Sequence, residues 1–307
     1  MFEIIINILI SWFLLSFIFT FIYGLLNWIN SKRKIKMNKI VVIANERFEP
    51  GLIAFINSYK KANIKSPLCI IDTGLKNSYP YETIKKNLTN FSYKKAPWMS
   101  DCSPYLQLEL GDIKADKIIY LETDMLLLKN IDHLFNEINI NCDCISVMDD
   151  AALSTMVDYH IDSAGRYFIE ESELNKKYLR IKGFNGGLIG GTYSFFNFIQ
   201  KVYSSYLKQY EDQYRLLAQS LLNQIFIEEN LIVKDIGLEY NFSGINEYYK
   251  DEYLYTCLFN ENRWEVIFNG INISIVHFTG KNKPFLTSDK NIMTPIWEYY
   301  YNNGELF

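Results

Sequence analysis

Lys117-Ile-Ile-Tyr-Leu-Glu-Thr-Asp124 decides how this chain is read. Ile118 to Leu121 are continuously apolar, as in a strand buried on both faces. The run then ends in two carboxylates. Glu122 and Asp124 sit at i and i+2, so both can point to one side where the strand gives way to a loop. Paired carboxylates at the carboxyl end of a central strand make a site for a hard divalent cation. Such a cation could in turn hold a diphosphate.

Working outward from that strand, short apolar runs alternate with helical segments. Lys39–Ala44, Pro67–Ile71 and Cys144–Met148 read as strands, and Glu49–Lys61 as a helix with Leu52, Phe55 and Ile56 on its apolar face. Tyr81–Asn87 reads as a short helix. Asp158–Leu179 reads as a polar, helical excursion that shapes an acceptor site. Phe195–Phe226 reads as helices and Ile273–Phe278 as a late strand. The alternation predicts an α/β domain with a mixed, mostly parallel sheet.

Net charge is -4 over 307 residues, with no basic block in the body of the chain. That excludes nucleic acid as the main partner. The cysteines Cys69, Cys102, Cys142, Cys144 and Cys257 are scattered and odd in number, so they read as free thiols in a reducing compartment. Residues 4–29 are apolar without a charge, which predicts one transmembrane helix. Residues 30–37 form a basic juxtamembrane linker containing Lys32, Arg33, Lys34 and Lys36. The positive-inside rule then predicts a single-pass membrane protein whose domain, 38–307, faces the cytosol.

Other residues add chemistry to the carboxylate pair. His277 closes an apolar strand, and two carboxylates with one imidazole suit Mn²⁺, with Mg²⁺ as the alternative. Lys281 and Lys283 follow, placed to neutralise charge on a diphosphate leaving group. Asn185-Gly186-Gly187 offers backbone N–H groups and close approach, or simply a tight turn. Asp149 and Asp150 end a strand near the crevice, where a substrate hydroxyl or a helix cap are the two readings. The glycine-dense stretch Phe184–Gly191 is no dinucleotide fingerprint.

Together these motifs resemble glycosyltransferase family 8, the group that includes glycogenin and bacterial lipopolysaccharide sugar transferases. Lys117–Asp124 resembles the family strand ending in DxD, and Asn130-Ile-Asp132-His-Leu-Phe135 the stretch after it. Phe184-Asn-Gly-Gly187 resembles its FN-small-G element. Gln219-Ser-Leu-Leu-Asn223 resembles the later part of DQDxLN. Tyr240-Asn-Phe242 resembles its YNF segment, and His277-Phe-Thr-Gly280 with Lys283-Pro284 resembles HxxGxxKP.

The resemblance implies a GT-A fold, a UDP-sugar donor, Mn²⁺ and retention of anomeric configuration. It implies Asp124, His277 and Glu122 as metal ligands. Glu122, Lys283, Gly280, Gly186 and Ala44 fall on the donor side, and Gln219, Asp149 and Asn185 near the reacting sugar. The expected reaction moves a hexose to a hydroxyl of a membrane-associated glycan or glycolipid, and homo-oligomerisation is compatible with it. Three departures stand out. Glu122 replaces an aspartate, Ala218 replaces the first aspartate of DQDxLN (with Asp212-Gln213 as a rival alignment), and no basic residue precedes the central strand unless Lys94 or Lys95 serves. An inactive binding domain of the same fold is the alternative. A nucleotidyltransferase is disfavoured because Ala44–Pro50 lacks a triphosphate loop.

Overall fold

The computed structural model describes residues 37–86, 110–149, 159–161, 167–169, 183–210, 217–242, 255–260, 262–279, 283–286 and 293–303, with isolated positions 16, 19, 20 and 22. Asn38–Phe307 forms one compact unit, distinct from Met1–Met37.

The chain begins with β1 (Asn38–Ala44), α1 (Glu49–Lys61), β2 (Leu68–Asp72), β3 (Glu82–Lys85), β4 (Lys117–Leu121) and β5 (Met125–Leu127). It continues through α2 (Leu134–Glu137), β6 (Cys144–Asp149), β7 (Tyr159–Ile161), β8 (Tyr167–Ile169) and β9 (Gly183–Thr192). Then come α3 (Tyr193–Tyr210), α4 (Leu217–Glu228), β10 (Val233–Asp235), β11 (Tyr255–Asn260), β12 (Arg263–Phe268), β13 (Ile271–Asn272), β14 (Ile275–His277) and α5 (Thr294–Asn302).

The main sheet has seven strands in the order β10-β6-β9-β4-β1-β2-β3. β4, β1, β2 and β3 run parallel, while β9 runs antiparallel between β4 and β6. Successive β1 residues serve opposite faces. Ile40, Val42 and Ala44 pack with Leu52, Phe55 and Ile56 of α1. Val41 and Ile43 share the other core with Phe196 and Ile199 of α3 and Leu222 and Ile225 of α4. Coverage on both faces explains why the strand is apolar throughout rather than alternating.

α1 starts with Pro50 in its first turn and ends on Lys60 and Lys61, which complement the helix dipole. Asn63 just beyond it takes φ 52, a left-handed stop. The stretch after the carboxylates clamps that stop. Asn130 Nδ2 donates to the Asn63 carbonyl at 2.8 Å. Asp132 accepts the Lys65 N–H at 2.8 Å and the Ser66 N–H at 3.2 Å. Asn130 and Asp132 thus have a local structural task that does not require a ligand.

Several expectations are corrected. Tyr81–Asn87 contains the edge strand β3, paired in parallel with β2, where the strand-favouring Thr83 and Ile84 settle beside Ile70 and Ile71. Part of Asp158–Leu179 is the hairpin β7–β8 and not a helix; the rest of it lies outside the described residues. The glycine-dense segment is not only a turn but the ten-residue strand β9. A Cβ on Gly190 would stand 2.6 Å from Ile145 Cγ1, so glycine lets β9 lie against its neighbour there.

The membrane expectations are corrected too. Among the described residues no helix is long and apolar enough to cross a membrane. A span needs about 20 consecutive apolar helical residues; within 4–29 only positions 16, 19, 20 and 22 are described. The anchor, membrane attachment through it, single-pass placement and a cytosol-facing domain are therefore withdrawn. Lys94, Lys95, Asp150, Asp212, Gln213, Gly280 and Lys281 lie outside the described residues.

Candidate active site

A turn, rather than strand alternation, brings Glu122 and Asp124 together. β4 stops at Leu121, and the Met125 N–H donates to the Glu122 carbonyl at 3.2 Å. This folds residues 122–124 across the carboxyl end of the sheet and leads into β5. The Glu122 N–H is held by the Gly187 carbonyl of β9 at 3.1 Å. β14 then pairs antiparallel with β5, with His277 opposite Met125. The Phe278 N–H donates to the Asp124 carbonyl at 2.9 Å. A backbone ladder therefore carries His277, 155 positions beyond Glu122, to the carboxylates.

His277 Nε2 lies 3.0 Å from Glu122 Oε2 and 3.3 Å from Asp124 Oδ1. One ligand atom from each of the three residues lies within 4.8 Å of the others. His277 and Asp124 are buried, while Glu122 keeps 35% of its side chain open. Asp124 Oδ1 is buried and makes no hydrogen bond among the described residues. An unsatisfied carboxylate oxygen is costly there. A cation is the partner that this oxygen-and-imidazole donor set fits. The cluster is consistent with a metal-using transferase.

Lys283 stands at the same place. Its ammonium donates to Asp124 Oδ2 and to the Phe278 carbonyl at 3.3 Å. Burial lowers the pKa of Lys283, and the Glu122 carboxylate opposes that shift. Burial pushes the Glu122 carboxyl up. The hydrogen bond from His277, attraction to His277 and the charge of Lys283 outweigh it and hold the group below the usual carboxylate range. Glu122, Asp124 and Lys283 line a cavity of about 180 Å³ with Ile43, Phe48 and Tyr120. A larger cavity of about 750 Å³, between Glu49, Gly74, Asn77 and Tyr301, holds none of the cluster residues. The chemistry belongs to the smaller one, because the cation-fitting groups are there.

β9 and α4 form the adjoining wall. Gln219 Oε1 accepts the Gly186 N–H at 3.0 Å. One turn later, Asn223 accepts the Phe184 N–H at 3.0 Å and donates to the Phe184 carbonyl at 3.0 Å. Spacing of i and i+4 puts both side chains on one helix face, so α4 grips the strand at two points. Asn185 Oδ1 accepts the Gly187 N–H at 2.8 Å.

The remaining candidates are less central. Ala44 is buried, and its carbonyl accepts from the Thr73 N–H at 3.0 Å; Ile43 rather than Ala44 lines the small cavity. Asp149 ends β6 opposite Gly183, and its side chain lies outside the described residues. Sequence reasoning quoted Asn241 within Tyr240-Asn-Phe242 but missed its place, buried beside His277. It also missed Asn223 as a clamp, although the i, i+4 spacing from Gln219 was a usable signal.

A mixed sheet with this carboxylate–histidine cluster at the end of a central strand defines a GT-A-like glycosyltransferase fold. The sequence model of glycosyl transferase family 8 matches residues 19–288, and the chain belongs to that family. No curated protein sequence matches it. Among solved structures, it is similar to the galactosyltransferase LgtC in complex with donor and acceptor sugar analogues. That likeness has a TM-score of 0.64 at 16% identity and covers 86% of this chain and 95% of LgtC. The bifunctional glycosyltransferase WbbM in its apo form gives 0.61 at 14%, covering 88% of this chain and 50% of WbbM. The glycosyltransferase GlyE of Streptococcus pneumoniae TIGR4 gives 0.55 at 13%, covering 86% of this chain and 60% of GlyE. At these identities the likeness is one of fold.

Proposed function

We propose that this chain moves a hexose from a UDP-sugar to an acceptor hydroxyl, with retention of anomeric configuration, using Mn²⁺ held by Glu122, Asp124 and His277. The observation that carries this reading is the buried Asp124 Oδ1, which makes no hydrogen bond among the described residues, inside a three-residue ligand cluster beside Lys283. A bound Mn²⁺ would supply a hard positive charge for the donor diphosphate. Lys283 adds a second positive charge for the phosphate oxygens as the leaving group develops. Gly186 and Gly187 keep the sugar side of the wall free of side chains, and Gln219 fixes that wall through its bond to the Gly186 N–H.

Bond making and breaking balance without a protein nucleophile. The bond between the sugar's anomeric carbon and the diphosphate oxygen breaks, and its electron pair leaves with UDP. The acceptor oxygen bonds to the same face of that carbon, and its proton passes to the departing phosphate. Among the described residues the carboxylates lining the small cavity are Glu122 and Asp124, and both belong to the cation cluster. This favours the front-face route over a covalent intermediate. Support for a donor-and-acceptor site comes from LgtC, a galactosyltransferase captured with analogues of both.

The test is Mn²⁺-dependent UDP release by the full-length chain across a panel of UDP-sugars, with D124N and H277A alongside. Release from one preferred donor, lost in both variants, is expected. UDP binding without release, even with glycan acceptors supplied, would instead identify an inactive binding domain. Folded protein that neither binds nor releases UDP would overturn the assignment.

A further inference from the structure

We propose that Asn241 is a positioning residue that sets the tautomer of His277 and presents its Nε2 to the cation cluster. The inference rests on the metal reading above only for its consequence, because the tautomer follows from a chain of contacts that begins at a backbone group. The Gly187 N–H is always a donor. It meets one side-chain atom of Asn185 at 2.8 Å, and that atom must be the oxygen. The same Asn185 oxygen lies 3.0 Å from a side-chain atom of Asn241, which must then be the amide nitrogen. The other side-chain atom of Asn241 is therefore its oxygen, and it sits 2.7 Å from His277 Nδ1.

An amide oxygen only accepts, so Nδ1 carries a proton. Nε2 is then the ring nitrogen that faces the Glu122 and Asp124 oxygens, at 3.0 and 3.3 Å, and is left for the cation. Amide and imidazole orientations are fixed by their networks, and this network is anchored by an N–H that cannot flip. The chain also places Asn241. The Phe242 N–H donates to the Ile275 carbonyl at 3.0 Å, and the His277 N–H donates to the Phe242 carbonyl at 2.9 Å. The Tyr240–Phe242 segment therefore lies along β14, and Asn241 is only 4% exposed. One network joins the β9 segment Asn185–Gly187 to the metal-facing histidine. Partners that orient a ligating histidine typically change metal affinity about 10- to 100-fold when mutated.

Two readouts on the full-length chain test this. The first is the imidazole nitrogen NMR spectrum of the metal-free protein. The chain has 3 histidines, so the H277A spectrum assigns the signal. The expected result is a protonated Nδ1, with that preference lost in N241L. The second is Mn²⁺ affinity by electron paramagnetic resonance. N241L is expected to bind about 10- to 100-fold more weakly. N241D keeps an acceptor for Nδ1–H and is expected to recover at least about tenfold over N241L. An unprotonated Nδ1 in the wild-type protein overturns the inference. So does wild-type affinity in N241L, or N241D as weak as N241L. Should N241L fail to fold, the wild-type spectrum and N241D decide. If the wild-type protein binds no Mn²⁺, the metal reading falls, and the spectrum still decides the tautomer.

Discussion

Asp124→Asn is expected to lower Mn²⁺-dependent transfer by about 10²- to 10³-fold. Metal-assisted charge stabilisation is worth several kcal/mol, and about 1.4 kcal/mol is a factor of ten in rate. The substitution keeps the volume and removes the charge at the ligand whose buried Oδ1 makes no hydrogen bond among the described residues. It also deprives Lys283 of its anionic partner. The metal-free variant is expected to lose about 1–3 kcal/mol, the range for a charge-assisted bond. Thermal unfolding with and without Mn²⁺ separates the two effects. The wild-type protein should gain about 2.7 kcal/mol at a hundredfold excess over Kd, and D124N should gain nothing. An equal gain in both would show that Mn²⁺ binds somewhere else.

The second large effect is expected at Gly187. A Cβ there would lie 2.5 Å from His277 Cε1, 2.7 Å from Met125 Cε and 2.9 Å from Asn185 Oδ1. Gly187→Ala must therefore push the histidine, the Met125 side chain just after the carboxylates or the asparagine that holds Asn241. Overpacking of this kind costs about 1–3 kcal/mol. Mn²⁺ affinity should fall at least about tenfold with it, as for loss of an orienting partner. Gly190→Ala is the matched control. Its Cβ would meet Ile145 and Ile138 and none of the cluster residues. It should lose stability by a similar amount and keep its Mn²⁺ affinity. If urea unfolding and Mn²⁺ titration show the two variants behaving alike, Gly187 has no special tie to the cluster.

The sequence was legible where one physical pattern dominates. Ile118–Leu121 had to be a doubly buried strand, and the carboxylates after it had to lie at its carboxyl end. His277 was recognisable from its neighbours Gly280 and Lys283, although only the β5–β14 ladder explains its place beside Asp124. β9 was hidden because glycines at 186, 187, 190 and 191 erase side-chain alternation, and its burial is supplied by β4 and β6. Edge strand β3 was misread as a helix because its four residues carry too little periodicity to separate the two. The apolar run 4–29 was read from hydropathy alone, and nothing among the described residues supports a span. Asn241 and Asn223 were legible only as members of the motifs Tyr240-Asn-Phe242 and Gln219-Ser-Leu-Leu-Asn223. Their roles arise only when β14 and α4 dock beside β9.

The most direct measurement is anomalous diffraction at the manganese edge from crystals of the full-length chain grown with Mn²⁺ and UDP. The account predicts a peak bonded to oxygens of Glu122 and Asp124 and to His277 Nε2, with the diphosphate of UDP against the metal and Lys283. A peak held by other residues, or UDP bound with no manganese among these three side chains, would contradict it.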